Sequence, residues 1–263
     1  MSNISAPTVN LDIRDQVAFL TMSRPDAANT MNLQFGREFL AAVFAIEAAS
    51  GVRAVVLTGE GKNFCFGGDL KGMVVSGADV VAYLSELTTN LHAGMALLAR
   101  LDAPVIAAVN GTAAGAGLGL VLAADLAVAA RSAKFAPAYL GVGLTPDAGC
   151  TFLLPRAVGY KRAMELLLTN RVLDAQQALD WGLVNQVVDD GNLTEAATAL
   201  ASRLAKGPTG AFGALKRLLG EAEPGFEAQL ARESRSISAR GTTNEGREGI
   251  AAFLEKRAPV FRD

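Results

Sequence analysis

Histidine and cysteine are nearly absent from this chain of 263 residues: His92 stands alone, and Cys65 and Cys150 are the only thiols. One histidine and two cysteines outside any Cys-x-x-Cys pair cannot assemble a Cys/His zinc centre, so no metal is expected. So few thiols also exclude a cross-linked framework and point to free cysteines in a reducing compartment. Residues 1–7, Met-Ser-Asn-Ile-Ser-Ala-Pro, lack the basic start and apolar run of an export signal, and a cytoplasmic protein is expected. A marked excess of either charge is missing too. Lys and Arg number 24, Asp and Glu 26, and the net charge is −2, which leaves no electrostatic footprint for nucleic acid. There is no Gly-x-x-x-x-Gly-Lys-Ser/Thr and no Gly-x-Gly-x-x-Gly, so neither a P-loop nor a dinucleotide fingerprint is present. Internal repeats and low-complexity linkers are absent. Residues 103–124 contain no charge, a length that could span a bilayer. Pro104, Asn110, Thr112 and four glycines interrupt it, and Arg100 and Arg131 flank it evenly. A buried strand, a tight turn and a buried helix account for it better than a membrane span.

What is present is apolar: 51% hydrophobic against 19% charged residues, enough for a substantial core. Strands are expected at 9–14 and 17–22, turning at Asp15-Gln16, and then at 52–58, 104–109 and 126–129. Helices are expected at 33–49, capped by Asn32 or Thr30, at 78–100 and at 115–123. This rhythm predicts an α/β fold with a mostly parallel sheet. From 160 onward the pattern is helical, at 160–168, 174–181, 193–205, 211–219, 226–236 and 244–256, with one strand-like run at 183–188. Gly207-Pro208 is the candidate hinge between an α/β core, 1–206, and a C-terminal helical region, 207–263.

Two glycine-rich segments follow strand signals: Asn63-Phe64-Cys65-Phe66-Gly67-Gly68-Asp69-Leu70 and Asn110-Gly111-Thr112-Ala113-Ala114-Gly115-Ala116-Gly117-Leu118-Gly119. Glycine lets a ligand reach the backbone and lets N–H groups face a cavity. Two such loops can aim two amides at one oxygen, an oxyanion hole for acyl chemistry. Ordinary turns and close helix packing explain the same glycines equally simply. Asp147 reads either as a capping or first-turn residue of a helix or as a carboxylate base in an apolar pocket, where desolvation raises its basicity. His92 is a structural helix residue or an acid–base group. Cys65 reads as a small buried hydrophobe.

In order and spacing, these segments resemble the enoyl-CoA hydratase/isomerase (crotonase) family over nearly the whole chain. The resemblance rests on Ser23-Arg24-Pro25 with Asn29 and Met31, on Ala54-Val55-Val56-Leu57-Thr58-Gly59 and on the first glycine segment. It continues through Pro104-Val105-Ile106-Ala107-Ala108-Val109-Asn110-Gly111, Ala124-Asp125, Arg247-Glu248-Gly249 and Phe253-Leu254-Glu255-Lys256-Arg257. It implies the crotonase (ClpP-like) fold, a spiral of ββα units whose C-terminal helices trimerise, as a homotrimer or a dimer of trimers. It implies a coenzyme A thioester as substrate, with no separate cofactor. By position, the oxyanion donors are the N–H groups of Gly68 and Ala116. Ala27, Gly67, Asp69, Leu70 and Lys71 surround the CoA adenine and pantetheine, with Arg24 and Lys71 as phosphate partners. Lys256 reaches a neighbouring subunit's CoA, and His92 and Tyr139 border the acyl group.

Departures from the family pattern bear on the reaction. The two hydratase glutamates are matched by Gly119 and Tyr139, neither an acid–base carboxylate. Asp147 lies where several members place a catalytic aspartate, and Gly143-Leu144-Thr145-Pro146-Asp147 with Phe152-Leu153-Leu154-Pro155-Arg156 looks most like the double-bond isomerases. The resemblance therefore implies an isomerase with Asp147 as acid/base. Three alternatives stand beside it: a hydratase with an atypical site, a non-catalytic acyl-CoA-binding member, and an aromatic acyl-CoA dehalogenase-like enzyme. The last draws on Thr169-Asn170-Arg171 and Asp180-Trp181-Gly182-Leu183-Val184 with His92 and Asp147, but Gly68 and Leu91 stand where that branch has ring-clamping aromatics.

Overall fold

The computed structural model describes residues 6–75, 79–222 and 225–261. The N-terminal five residues and Ala78, the expected start of the long helix, lie outside them. Strands β1 (Val9–Arg14) and β2 (Val17–Met22) form an antiparallel hairpin. Asp15 and Gln16 both carry positive φ, 49° and 64°, as a two-residue turn matched to strand twist requires. Helix α1 (Leu33–Ala48) starts where the Asn32 side chain accepts from the Phe35 N–H at 2.9 Å. β3 (Ala54–Gly59) follows, then the short α2 (Leu70–Val75) and α3 (Val80–Arg100). The Asp79 side chain caps α3 through the Ala82 N–H, two residues later than expected.

The uncharged stretch divides into β4 (Val105–Val109), β5 (Ala113–Ala114) and α4 (Ala116–Ala123). No helix among the described residues is long and apolar enough to cross a membrane. Next come β6 (Leu126–Ala130), β7 (Lys134–Ala136), α5 (Cys150–Val158), α6 (Tyr160–Thr169), β8 (Leu173–Asp174), α7 (Ala175–Asp180) and β9 (Gln186–Val188). The chain ends in α8 (Leu193–Ala205), α9 (Thr209–Gly220), α10 (Phe226–Gly241) and α11 (Asn244–Leu254).

The main sheet runs β1-β2-β3-β4-β6-β9, parallel from β2 onward. Both faces are covered. Leu57, Val105 and Ala107 face the large core beneath α1, α3 and α4; Val56, Ile106 and Val128 pack against Leu193, Ala197 and Ala201 of α8. Double coverage explains why β3, β4 and β6 read as continuous apolar runs rather than alternating ones. A second sheet, β5-β7-β8, has strands of two or three residues, too short for any period to be legible in sequence. α2 and α5 were also not expected. α5 contains Pro155, and an internal proline argues against a helix when only sequence is read.

Candidate active site

The site is assembled around the two glycine segments, which lie side by side. The Cys65 N–H donates to the Thr112 carbonyl at 3.1 Å, and the Ala114 N–H donates to the Cys65 carbonyl at 2.8 Å. A Cβ added to Gly67, whose φ is +81°, would stand 2.9 Å from the Ala114 oxygen and 3.0 Å from the Ala116 nitrogen. Backbone meets backbone here, so glycine is required by space as well as by conformation.

This pairing leaves two donors over. Next to Gly68, Met31 donates to Gly67 and Asp69 donates to Met31, a bridge that passes over the Gly68 N–H. Ala116 opens α4, and its N–H belongs to the first helical turn, which has no intrahelical acceptor. Neither N–H donates to an acceptor among the described residues. Gly68 and Ala116 line one cavity of about 400 Å³. Its wall is mostly apolar: Leu84, Leu87 and Leu91, from one face of α3, with Met73, Val142 and Leu144. Thr88, Thr145, Tyr139 and Asp147 add the polar groups. Of these α3 residues only Leu91 was singled out in the sequence; 84, 87 and 88 were not, although the spacing is that of one helical face.

Asp147 thus stands in the cavity that carries both amides. Its carboxylate does not cap α5: the N-cap is Gly149, with no side-chain hydrogen bond, and Asp147 contributes only its carbonyl, to the Cys150 N–H at 3.0 Å. The capping role considered from sequence therefore does not belong to the carboxylate. Instead the Tyr139 hydroxyl donates to Oδ1 at 2.6 Å, and His92 Nε2 lies 3.5 Å from Oδ2. Burial pushes the Asp147 pKa up, but the hydrogen bonds from His92 and Tyr139 and the nearness of the imidazole outweigh it and hold the pKa below the usual range. This corrects the expectation that desolvation would dominate: the group is partly desolvated yet well partnered, and stabilisation of the charged form wins.

Tyr139 is itself buried; burial, then Cys150 and Asp147, raise its pKa far above the phenol range, so it remains a donor. It was expected beside the acyl group, and the structure adds the contact to Asp147. His92 accepts from the Ala148 N–H at 3.2 Å. Ala148 also explains Gly119. A Cβ at 119 would come within 2.6 Å of the Ala148 Cβ and collide with its carbonyl oxygen. The segment carrying Asp147 fills the space that a longer side chain at 119 would need.

The residues expected around CoA are only partly gathered. Arg24 is bound inward, to Asp69 at 3.0 Å and to the Thr30 carbonyl. Burial raises the Asp69 pKa, while the Gly72 N–H and Arg24 lower it further, for a net fall. Leu70 lines the cavity and is half exposed, Lys71 is exposed, and Ala27 lies on a single turn, Pro25–Ala27, outside the cavity lining. Lys256 follows α11 with φ +55° and is not among the cavity-lining residues. Cys65 and Cys150 are free and fully buried, with thiol pKa values pushed up to about 12 by burial. No group of three His, Cys, Asp or Glu among the described residues could hold a metal ion.

Paired backbone donors on a doubly covered sheet define a class. A profile of the enoyl-CoA hydratase/isomerase family matches residues 12–263, and the chain belongs to that family. It is an enzyme of that family, with the crotonase fold. The chain is 40% identical to the 1,2-epoxyphenylacetyl-CoA isomerase of Escherichia coli (strain K12) over 247 residues, covering 93% of this chain and 94% of that one. It is 39% identical to a 4-chlorobenzoyl coenzyme A dehalogenase of an Arthrobacter species over 222 residues, 84% of this chain and 80% of that one. Among solved structures, an enoyl-CoA hydratase from Polaromonas sp. JS666 superposes with a TM-score of 0.92 at 35% identity, covering 97% of this chain and 99% of that one.

Proposed function

We propose that this protein shifts a double bond within an enoyl-CoA, with Asp147 as the acid/base. The thioester oxygen accepts from the Gly68 and Ala116 N–H groups. The Asp147 carboxylate takes a proton from C2 of a 3-enoyl-CoA, and the electron pair delocalises into a dienolate whose charge rests on the thioester oxygen. The proton returns at C4, giving the 2-enoyl-CoA. Each amide donor contributes about 3 kcal/mol to lowering the barrier.

The observation that carries this reading is that two unspent backbone donors and one ionised carboxylate line the same cavity. A two-glutamate hydration is disfavoured because Gly119 has no room for a side chain. Replacing Asp147 by Asn tests the assignment. Turnover of a panel of 3-enoyl-CoAs, followed by absorbance of the conjugated product, should disappear while acyl-CoA binding changes little. Undiminished activity in that variant overturns it.

A second reading has its own support in the relative that acts on 4-chlorobenzoyl-CoA and in the grouping of His92, Tyr139 and Asp147. There Asp147 attacks the ring as nucleophile. Aliphatic Leu84, Leu87 and Leu91 line the cavity, which favours a flexible acyl chain; chloride release from 4-chlorobenzoyl-CoA decides between the two. We extend the proposal to the assembly: a homotrimer, or a dimer of trimers, formed through the C-terminal helices, with Lys256 turned toward a neighbouring subunit's CoA. The apolar residues exposed on α10 and α11 support it. The CoA itself would lie against Arg24, Ala27, Gly67, Asp69, Leu70 and Lys71.

A further inference from the structure

The two groups that touch the Asp147 carboxylate differ in what they can do with a proton. Tyr139 is buried and donates its only proton to Oδ1. The Cys150 thiol beyond it, 3.9 Å from the Tyr139 hydroxyl, is fully buried as well. Neither side chain opens onto water. His92 does: its side chain is 46% exposed, while Nε2 lies 3.5 Å from Asp147 Oδ2.

The state of that nitrogen follows from the backbone. The Ala148 N–H points at Nε2 from 3.2 Å and Asp147 Oδ2 lies 3.5 Å from the same nitrogen. Nε2 thus stands between a donor and an acceptor: its lone pair can accept from the amide, and an N–H there can donate to the carboxylate. The arrangement is held from both sides, by α3 carrying His92 and by the left-handed turn at Ala148 and Gly149, φ +49° and +74°. The Asp147 side chain is less open than the imidazole, 32% against 46% exposed, and lines the cavity where an acyl chain would lie.

We propose that His92 is a proton relay between Asp147 and bulk water, a role that rests on the acid/base assignment of Asp147 made above. Once Asp147 has taken a proton from the acyl chain, Oδ2 passes it to the Nε2 lone pair. The half-exposed imidazolium gives this Nε2 proton up to water, takes a solvent proton at Nε2 in its place and hands that one back to Asp147, which delivers it to carbon. No atom is gained or lost; one substrate hydrogen is exchanged for one from water. Protonation at Nε2 trades the contact with the Ala148 N–H for one with Asp147 Oδ2.

Deuterium oxide makes the relay visible. The intact protein should incorporate solvent deuterium into the isomerised product, and should also exchange the α-hydrogens of butanoyl-CoA, which needs the base and the amide pair but no double bond. His92→Gln keeps a hydrogen-bonding amide that cannot carry a proton. It should lower deuterium incorporation per turnover at least tenfold while turnover itself falls less. Added imidazole should restore exchange to His92→Ala, an effect no structural role produces. Equal incorporation in His92→Gln and the unaltered protein, with both folded by circular dichroism, overturns the relay. α-Exchange without a double-bond shift removes the isomerase reading, and the relay then stands or falls on the His92→Gln exchange rate. Absence of both reactions in the unaltered protein overturns the relay together with the base assignment.

Discussion

Phe39 and Phe135 are sealed in the α/β core at 0% and 1% exposure, whereas Phe226 and Phe253 stand at 79% and 83% on α10 and α11. The difference extends beyond phenylalanine. α4 buries six consecutive residues, Ala116 to Val121; α10 buries none, and α11 only Ala252. The core closes its apolar surface with its own sheet and helices. The C-terminal helices leave theirs open, as the proposed assembly through them requires. Between them lies a polar seam. Buried Arg53 donates to the carbonyls of Ala205 and Gly207, at 2.6 and 2.7 Å, and approaches Glu245 of α11 at 3.9 Å. Lys216 of α9 pairs with Asp125 of the core at 2.8 Å.

Substitutions of one kind should therefore act oppositely in the two regions. Phe39→Ala, in the ring pair with Phe35, should cost about 4 kcal/mol of stability by the lost transfer energy and the cavity left behind, read by urea denaturation. Gly67→Ala attacks the core at the proposed oxyanion hole. The added methyl meets the Ala114 oxygen and the Ala116 nitrogen, and turnover should fall about 100-fold, the cost of one misplaced oxyanion donor, with the fold retained by circular dichroism. Arg53→Met probes the seam. It strips the buried Ala205 carbonyl, the part-buried Gly207 carbonyl and Glu245 of a partner, and should cost about 3 kcal/mol, seen as a lower Tm. Phe253→Ser should change unfolding of the chain by less than about 0.5 kcal/mol yet reduce the assembled mass in analytical ultracentrifugation. Equal effects of Phe39→Ala and Phe253→Ser on unfolding would erase the distinction between the regions.

The smallest effect belongs to Asp147. Its folded pKa lies below the ordinary 3.8. The stability it contributes is complete above 3.8 and is lost as pH falls through the lowered folded value. Asp147→Asn should therefore flatten the fall of Tm below pH 3.8, and an unchanged acid limb would contradict the hydrogen-bonded state of the carboxylate.

The fold was legible in the sequence because it rests on long local patterns: the apolar runs of β3, β4 and β6, the Asn32 cap and the face of α3. The glycine segments were legible as a pair because only residues without side chains permit that contact of two backbones. Short elements were lost. β5, β7 and β8 have no period to read, and Pro155 disguised α5. What tertiary structure alone decided is the chemistry around Asp147. His92, Tyr139 and Ala148 come from α3, from the loop before α5 and from the turn that carries the aspartate, and only folding sets them at 3.5, 2.6 and 3.2 Å in their contacts with the carboxylate and with each other. A sequence names the residue types that can ionise. Whether burial or hydrogen bonding governs their charge is a matter of distances between segments far apart in the chain, and those exist only once the core has closed.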